Sequence, residues 1–339
     1  MQSSNSFSIP RSIISTGVSY PCLVGITGNG RAFEYLLSFL YGSQLEEERK
    51  IAVMLHDELS MVIPSFVRRA NDRYGKGLQE YFDRTREVVE TLVDKYLNKI
   101  PVKSREHLSL VDHESNEKAE LKVICAILYE QAKGHSLEQV NEVAKSLTVE
   151  ERRKIIDTYT SYRTNRRHRP GRAFEVTDYT FDLLTNFGIF RDLHRHRVLT
   201  LERQLLTTRH GYDTPVEIID LGIEKEFDDC MYKTKEVYEQ LANEYPLQAQ
   251  YVVNFAYRYP YFMKMNLREA CHLIELRSVP QGHPDYRKIA QRMYKLIEQV
   301  HPNLAKGIRF VDLKDYALER FDAEKRKEMK KESIDTNQL

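Results

Sequence analysis

The chain has 339 residues, 41% of them hydrophobic, enough to bury a sizeable core as two domains or as one elaborated domain. Its 51 Lys and Arg against 50 Asp and Glu leave a net charge of +1, so no global field drives it to nucleic acid or membrane, and any anion site must be local. No apolar run approaches the roughly 20 residues of a membrane span, the Ser-rich residues 1–12 lack the apolar stretch of a secretory signal, and Cys22, Cys125, Cys230 and Cys271 lack the spacing of a disulfide framework or a zinc site; a cytoplasmic location is expected.

In chain order, Gly25, Gly28 and Gly30 match neither a dinucleotide fingerprint nor a P-loop and read as a tight approach to a helix starting at Asn29. A second amphipathic helix follows and stops at Pro64. The apolar faces of the two, Leu36, Leu37, Leu40, Ile51, Leu55 and Leu59, are expected to dock on the rest of the chain, at roughly 1.5–3 kcal/mol per fully buried large side chain. The spacing predicts a helix over 77–99 with Leu78, Tyr81, Phe82, Val88, Val89, Leu92, Val93 and Tyr96 as a buried stripe, ended by Pro101. A short strand is expected at 108–111 and a helix at 119–131. Two more helices start at the capping boxes Ser136/Gln139 and Thr148/Glu151. A basic loop, 163–172, leads to a strand over 174–181, and a helical period returns from Thr185 with Phe187, Phe190 and Leu193 inward. The pattern then decays into a loop after Glu202, and the charged 319–339 tail is expected to fray.

The start of the chain reappears near its end. Arg49-Lys50-Ile51-Ala52 recurs as Arg287-Lys288-Ile289-Ala290, and Val62 and Pro64 recur as Val300 and Pro302 at the same offset. With one residue of slippage, Asn29-Gly30-Arg31 faces Asn266-Leu267-Arg268, and Tyr20-Pro21 faces Tyr259-Pro260.

Residues 191–197, Arg-Asp-Leu-His-Arg-His-Arg, crowd cationic and titratable side chains onto one predicted helical turn. Arg195-His196-Arg197 offers two planar guanidinium forks and an imidazole tunable near neutral pH, a donor set for phosphate or for the polar edge of a ring. The plainer use is complementing a helix macrodipole, at about 0.3–1 kcal/mol per cation. His194 and His196, two apart on a helix, point away from each other, which argues against a metal pair. Further on, Asn266 and Glu269 have the N-cap and capping-box pattern. Arg268 and Arg277 have surface partners available in Glu269 and Glu275, and His272 lies on an apolar face.

With this triplet the chain resembles the flavin-dependent thymidylate synthase family, whose Arg-His-Arg is followed by spaced Ser, Asn, Ser, Arg and Tyr. Glu175 and Tyr179-Thr180-Phe181 stand where the family has an acidic residue and a Phe-Thr-Phe strand. Arg191 precedes Arg195 by four, and residues 266–277 are similar to the family's Asn-x-Arg-x-x-x-His/Asn-x-x-x-x-Arg segment. Val111-Asp112-His113 is similar to its opening strand. The resemblance covers residues 106–316 and implies an α+β fold, helices packed around a small, mostly antiparallel sheet. It implies that FAD, reduced by NADPH, helps move a one-carbon unit from methylenetetrahydrofolate to dUMP and completes dTMP. Arg195, His196, Arg197, Asn266, Arg268, His272 and His283 are the implied flavin contacts. Arg191, Arg195, Thr207, Arg209 and Arg277 are the implied substrate contacts, with no metal. Arg277 is the implied catalytic cation, since a guanidinium stabilises negative charge on a pyrimidine activated as a carbon nucleophile.

The departures fall more on the nucleotide-binding features than on the flavin-binding ones. Thr200, Glu202, Leu205, Thr207 and Thr208 occupy the spaced positions after the triplet, and only with two inserted residues does Thr207-Thr208-Arg209-His210 stand in for Ser-x-Arg-Tyr. Val176, Asp192 and Gln250 replace a histidine, a glutamine and a phosphate-binding arginine, and His283 also needs an insertion to match. In the earlier copy Leu40 and Tyr35 replace the last arginine and the central ring. The expected organisation is a partial first copy with its connecting helix at 1–102, a complete copy at 103–318 and the tail at 319–339, with the absent half-copy lost by truncation or in a shortened paralogue. The expected assembly is a homo-oligomer with sites between copies or subunits. One alternative is a catalytically degenerate flavin- or nucleotide-binding relative. Another is a helical nucleic-acid-binding scaffold using loop 163–172 through counterion release; the loop has aromatics only at its ends, Tyr162 and Phe174, so a pocket rim for FAD or substrate phosphate is favoured over nucleic acid.

Overall fold

Polar side chains at chain turns fix where most helices begin. The computed structural model describes residues 25–316 and 325; the Tyr20-Pro21 match, Cys22 and the tail apart from Lys325 lie outside the described residues. The chain divides between Lys103 and Ser104 into two units, each with its own core.

In the first unit Asn29 caps α1 (Gly30–Tyr41) by accepting the Ala32 N–H at 2.9 Å. α2 (Glu46–Val62) and the short α3 (Pro64–Val67) follow, and Asp72 caps α4 (Arg73–Leu97). Phe33, Leu37, Leu59, Val67 and Ala70 form the core, with Leu36 and Leu55 at its edge. α4 passes so close to the preceding turn at Gly75 that a Cβ there would lie 2.3 Å from the Ala70 carbonyl oxygen. Beyond this anchorage the expected buried stripe of α4 is exposed: Tyr81, Val88, Val89, Leu92, Val93 and Tyr96 all face outward. Periodicity reports an apolar face, and burial additionally needs a second layer, which the other helices of this unit do not provide along this part of α4.

The second unit opens with β1 (Leu108–His113), α5 (Asn116–Tyr129), α6 (Leu137–Ser146) and α7 (Val149–Ser161). Both expected capping boxes, Ser136/Gln139 and Thr148/Glu151, are formed. Residues expected to begin a strand instead make a 3-10 turn, Arg172–Glu175, which buries Ala173 and Phe174. The strand is β2 (Asp178–Asn186), and α8 (Phe187–Leu193) starts only after Asn186 caps it. β3 (Thr200–Arg203), α9 (Val216–Asp220), α10 (Glu224–Ala242) and α11 (Pro246–Ala249) lie where a loop was expected. β4 (Arg258–Asn266), α12 (Leu267–Arg277), α13 (Pro284–Val300) and α14 (Pro302–Ala305) complete the unit.

The four strands form one antiparallel sheet in the order β1-β2-β4-β3, so the fold is α+β. β2 and β4 pair over their whole lengths, Asp178 opposite Asn266 and Asn186 opposite Arg258. Tyr179, Phe181 and Leu183 of β2 and Tyr259, Tyr261, Met263 and Met265 of β4 are buried against α5, α12 and α13. Since each of the two strands ends in an asparagine cap, α8 and α12 leave opposite ends of the pair.

The sequence repeat has a geometric counterpart. Ile63 (φ −133°, ψ 50°) and His301 (φ −136°, ψ 66°) each break a long helix one residue before a proline. Each donates its N–H 2.7 Å to the carbonyl four residues back, on Leu59 and Ile297. A residue before proline is pushed out of the helical region, and here the proline then opens a new short helix.

Candidate active site

Asn266 accepts the Glu269 N–H at 2.9 Å and starts α12 directly off the central strand. The capping box anticipated there is not completed. The Glu269 carboxylate turns away from the cap, is buried, and lies 2.8 Å from His196 Nδ1. On the other side of the ring, Arg277 donates Nε–H to His196 Nε2 at 3.2 Å. A guanidinium only donates, so Nε2 must accept, and Nδ1 therefore carries the proton given to Glu269. Two turns of α12 thus clasp one imidazole from both edges.

His196 is not helical, as the spacing had suggested. α8 ends at Leu193, the His194 N–H bonds the Phe190 carbonyl, and the His196 N–H bonds that of Leu193, so the Arg-His-Arg triplet lies in the turn beyond. His194 stacks on Phe190, with ring centres 5.2 Å apart, and Arg195 and Arg197 are exposed. Asp192, on the last turn of α8, faces both Arg195 (3.4 Å) and Arg277 (3.9 Å), and its carbonyl accepts from Arg277 Nη2. Arg277 also lies over the Tyr286 ring, 5.4 Å from its centre.

His272, one turn after Glu269, presents its ring edge-on to His196 at 5.4 Å. Burial pushes its imidazole below the ordinary histidine value; Arg169, His196 and Arg166 push the same way, against the opposing pull of Glu269. One ligand atom each from His196, Glu269 and His272 lies within 4.8 Å of the others, a metal-like spacing. Both ring nitrogens of His196 are already engaged, Nδ1 with Glu269 and Nε2 with Arg277, so neither is free to ligate a cation.

The remaining expected contacts fall around this group or away from it. Arg268 bonds the Pro170 carbonyl (2.8 Å) and Glu175 (2.9 Å) instead of Glu269. Glu175, also held by Arg172, has its carboxyl below the usual range chiefly through that Arg172 bond. Glu275 does not serve Arg277; it is buried and takes both Nη groups of Arg163 at 3.0 and 2.7 Å. Arg163 is therefore a structural cation and not a rim residue. His283 caps α13 and is exposed beside Tyr286. Arg191 lies over the Phe255 ring at 4.8 Å. Thr207 takes the Arg209 N–H in a tight turn, and among the described residues no hydrogen bond or ion pair joins either residue to the His196 group. Gln250 accepts the Leu206 N–H at 3.0 Å, so this position serves the loop after β3.

Sequence reasoning missed three members: the Glu269 carboxylate, Asp192 as a charged partner, and Tyr286. Only Asp192 left a signal, as a replaced glutamine next to the triplet.

The architecture defines an α+β protein in which β4, α12 and the turn after α8 bring guanidiniums, imidazoles and two carboxylates together. The sequence profile described as thymidylate synthase complementing protein matches residues 109–303, more than half of the chain, and the chain belongs to that family. A UPF0159 protein of Chlamydia pneumoniae is 35% identical over 90% of this chain and 57% of its own length. One from Thermoplasma acidophilum is 36% identical over 91% of this chain and 60% of its own length. The chain thus spans less than two thirds of the length of these relatives. A solved UMP/dUMP methylase from Streptomyces cacaoi, bound with 5-Br dUMP, is similar at TM-score 0.46 and 16% identity, covering 62% of this chain and 98% of that chain.

Proposed function

We propose that the chain is part of an FAD-dependent thymidylate synthase that methylates dUMP reductively, with methylenetetrahydrofolate as one-carbon donor and NADPH as reductant. The observation that carries this reading is the convergence of His196 with Glu269, His272 and Arg277 from a segment more than seventy residues away, together with membership of the thymidylate synthase complementing protein family. The residues fit an anionic dinucleotide. Arg166, Arg169, Arg195 and Arg277 contribute four guanidiniums in or near the group, against the carboxylates of Asp192 and Glu269.

Arg195, Arg197, His272 and Asn266 would hold the flavin, whose bound chemistry is hydride delivery. His196, fixed as its Nδ1–H tautomer, holds Arg277 Nε in place. The Arg277 N–H groups left over from His196 and the Asp192 carbonyl would then stabilise negative charge on a pyrimidine. In this reading Arg191, Thr207, Arg209 and His283 complete the site through an adjoining copy or subunit. No helix of the described residues is long and apolar enough to cross a membrane, and a cytoplasmic homo-oligomer is proposed.

Asp192 and Glu269 favour a second reading. Asp192 faces Arg195 and Arg277, and Glu269 adds a buried carboxylate beside them; both offset positive charge that a bound anion would otherwise use, which is what a binding relative without turnover would tolerate. Anaerobic mixing of the flavin-reduced protein with dUMP and methylenetetrahydrofolate decides between them. Oxidation of the flavin that depends on dUMP supports the synthase; retained flavin with no such oxidation supports the binding relative.

A further inference from the structure

The basic stretch 163–172 is not uniformly basic in its contacts. Its first and last arginines are satisfied: Arg163 by buried Glu275, the Gly307 carbonyl and the His168 carbonyl, and Arg172 by Glu175. Arg268 holds the far end through the Pro170 carbonyl. Between these anchors the loop is braced by His168, whose ring contacts Thr164 Oγ1 at 3.2 Å and Asn165 Nδ2 at 2.9 Å, and by the Asn165 side chain, which accepts the Arg167 N–H. Arg166, Arg167 and Arg169 are left exposed, and among the described residues none of them is hydrogen-bonded or paired to a carboxylate. Arg166 reaches only the Glu275 carbonyl, at 3.5 Å, one turn of α12 beyond His272.

Three guanidiniums within four residues repel one another, and a chain that supplies carboxylates to the flanking arginines but not to these leaves a local positive field. The bracing removes the entropy cost that a mobile loop would incur on binding. The field reaches His272, where Arg169 and Arg166 both oppose protonation.

We propose that residues 165–170 form an oxyanion clamp in which Arg166, Arg167 and Arg169 bind paired oxyanions of a ligand whose ring lies at the His196–His272 group. The placement of that ring rests on the flavin reading above; the clamp itself does not. Paired oxyanions have two sources here, the pyrophosphate of a dinucleotide and the carboxylates of a reduced folate, and planar guanidinium forks match both.

The test uses the full chain and the double variant Arg166→Gln/Arg169→Gln, with Arg163 untouched. Inorganic pyrophosphate is titrated calorimetrically, and the His272 imidazole is followed by NMR. The wild type is expected to bind pyrophosphate, with the His272 titration midpoint moving upward, and the double variant to bind at least about ten-fold more weakly with no such movement. Weaker binding of FAD with riboflavin unchanged assigns the phosphates. Weaker binding of tetrahydrofolate with tetrahydropterin unchanged assigns the carboxylates. Pyrophosphate binding that is absent or insensitive to the double substitution overturns the clamp, as does equal weakening of FAD and riboflavin. A single-stranded oligonucleotide that binds more tightly than pyrophosphate, and is lost in the same variant, overturns it in favour of a nucleic-acid surface. If pyrophosphate binds through these arginines while FAD does not bind at all, the clamp stands and the flavin reading falls.

Discussion

Glu269 sets the character of the site, because it both holds His196 and places a buried negative charge beside the cations. The two roles separate on substitution. Glu269→Gln keeps an acceptor for the Nδ1–H and removes the charge, so FAD should bind more tightly by about 1 kcal/mol, roughly five-fold. Glu269→Ala leaves the imidazole unheld and should weaken FAD instead; equal affinities of the two variants in a fluorescence titration would contradict this account. His272 yields a pH prediction. Its folded-state value lies below the ordinary 6.5, so the unfolded chain takes up a proton first as pH falls. The stability tied to neutral His272 is therefore whole above about 6.5 and is lost as pH falls from there through the folded-state value. Urea unfolding at pH 7.5 and 5.5 should show a smaller loss for His272→Asn than for the wild type. Identical losses would show that His272 is not linked to folding. The triplet, Asn266 and Arg277 were visible in the sequence because their spacing is distinctive. The route of Glu269 was not, since the pattern that suggests a capping box is equally available to a carboxylate drawn to a histidine more than seventy residues away.

Among the elements, α12 carries the most: its start caps off the central strand, one face clasps His196, and its buried Glu275 receives Arg163 from the loop after α7. That pair is almost wholly buried, the side chains being 6% and 1% exposed. Arg163→Met should cost about 3–5 kcal/mol by leaving the Glu275 charge uncompensated. Denaturant unfolding checks this, and a loss under about 1 kcal/mol would mean that water reaches the carboxylate. Local signals located the helices well where caps were explicit, as at Ser136 and Thr148. They failed at β4, although Tyr259, Tyr261, Met263 and Met265 alternate as a strand should, because Pro260 interrupts the run and discourages a strand assignment. They also failed at the end of α8, where a seven-residue helix stops before the triplet although the helical period runs on through it.

At the scale of the whole molecule, the two units have separate cores, and the helical turn before each proline, at Ile63 and His301, repeats in both. The repeat of residues 49–64 at 287–302 was legible because it consists of ordered identities at a fixed offset. Exposure of the α4 stripe was not, since an apolar face in a sequence does not say whether this chain supplies its cover. The His196 group and the loop beside it together make up the proposed flavin site. Titration of the purified, folded chain with FAD, followed by quenching of flavin fluorescence, tests this most directly. Saturable binding at one flavin per complete site, weakened at least about ten-fold by Arg195→Gln, is the predicted result. A chain with native circular dichroism that leaves FAD fluorescence unchanged up to millimolar protein would contradict it.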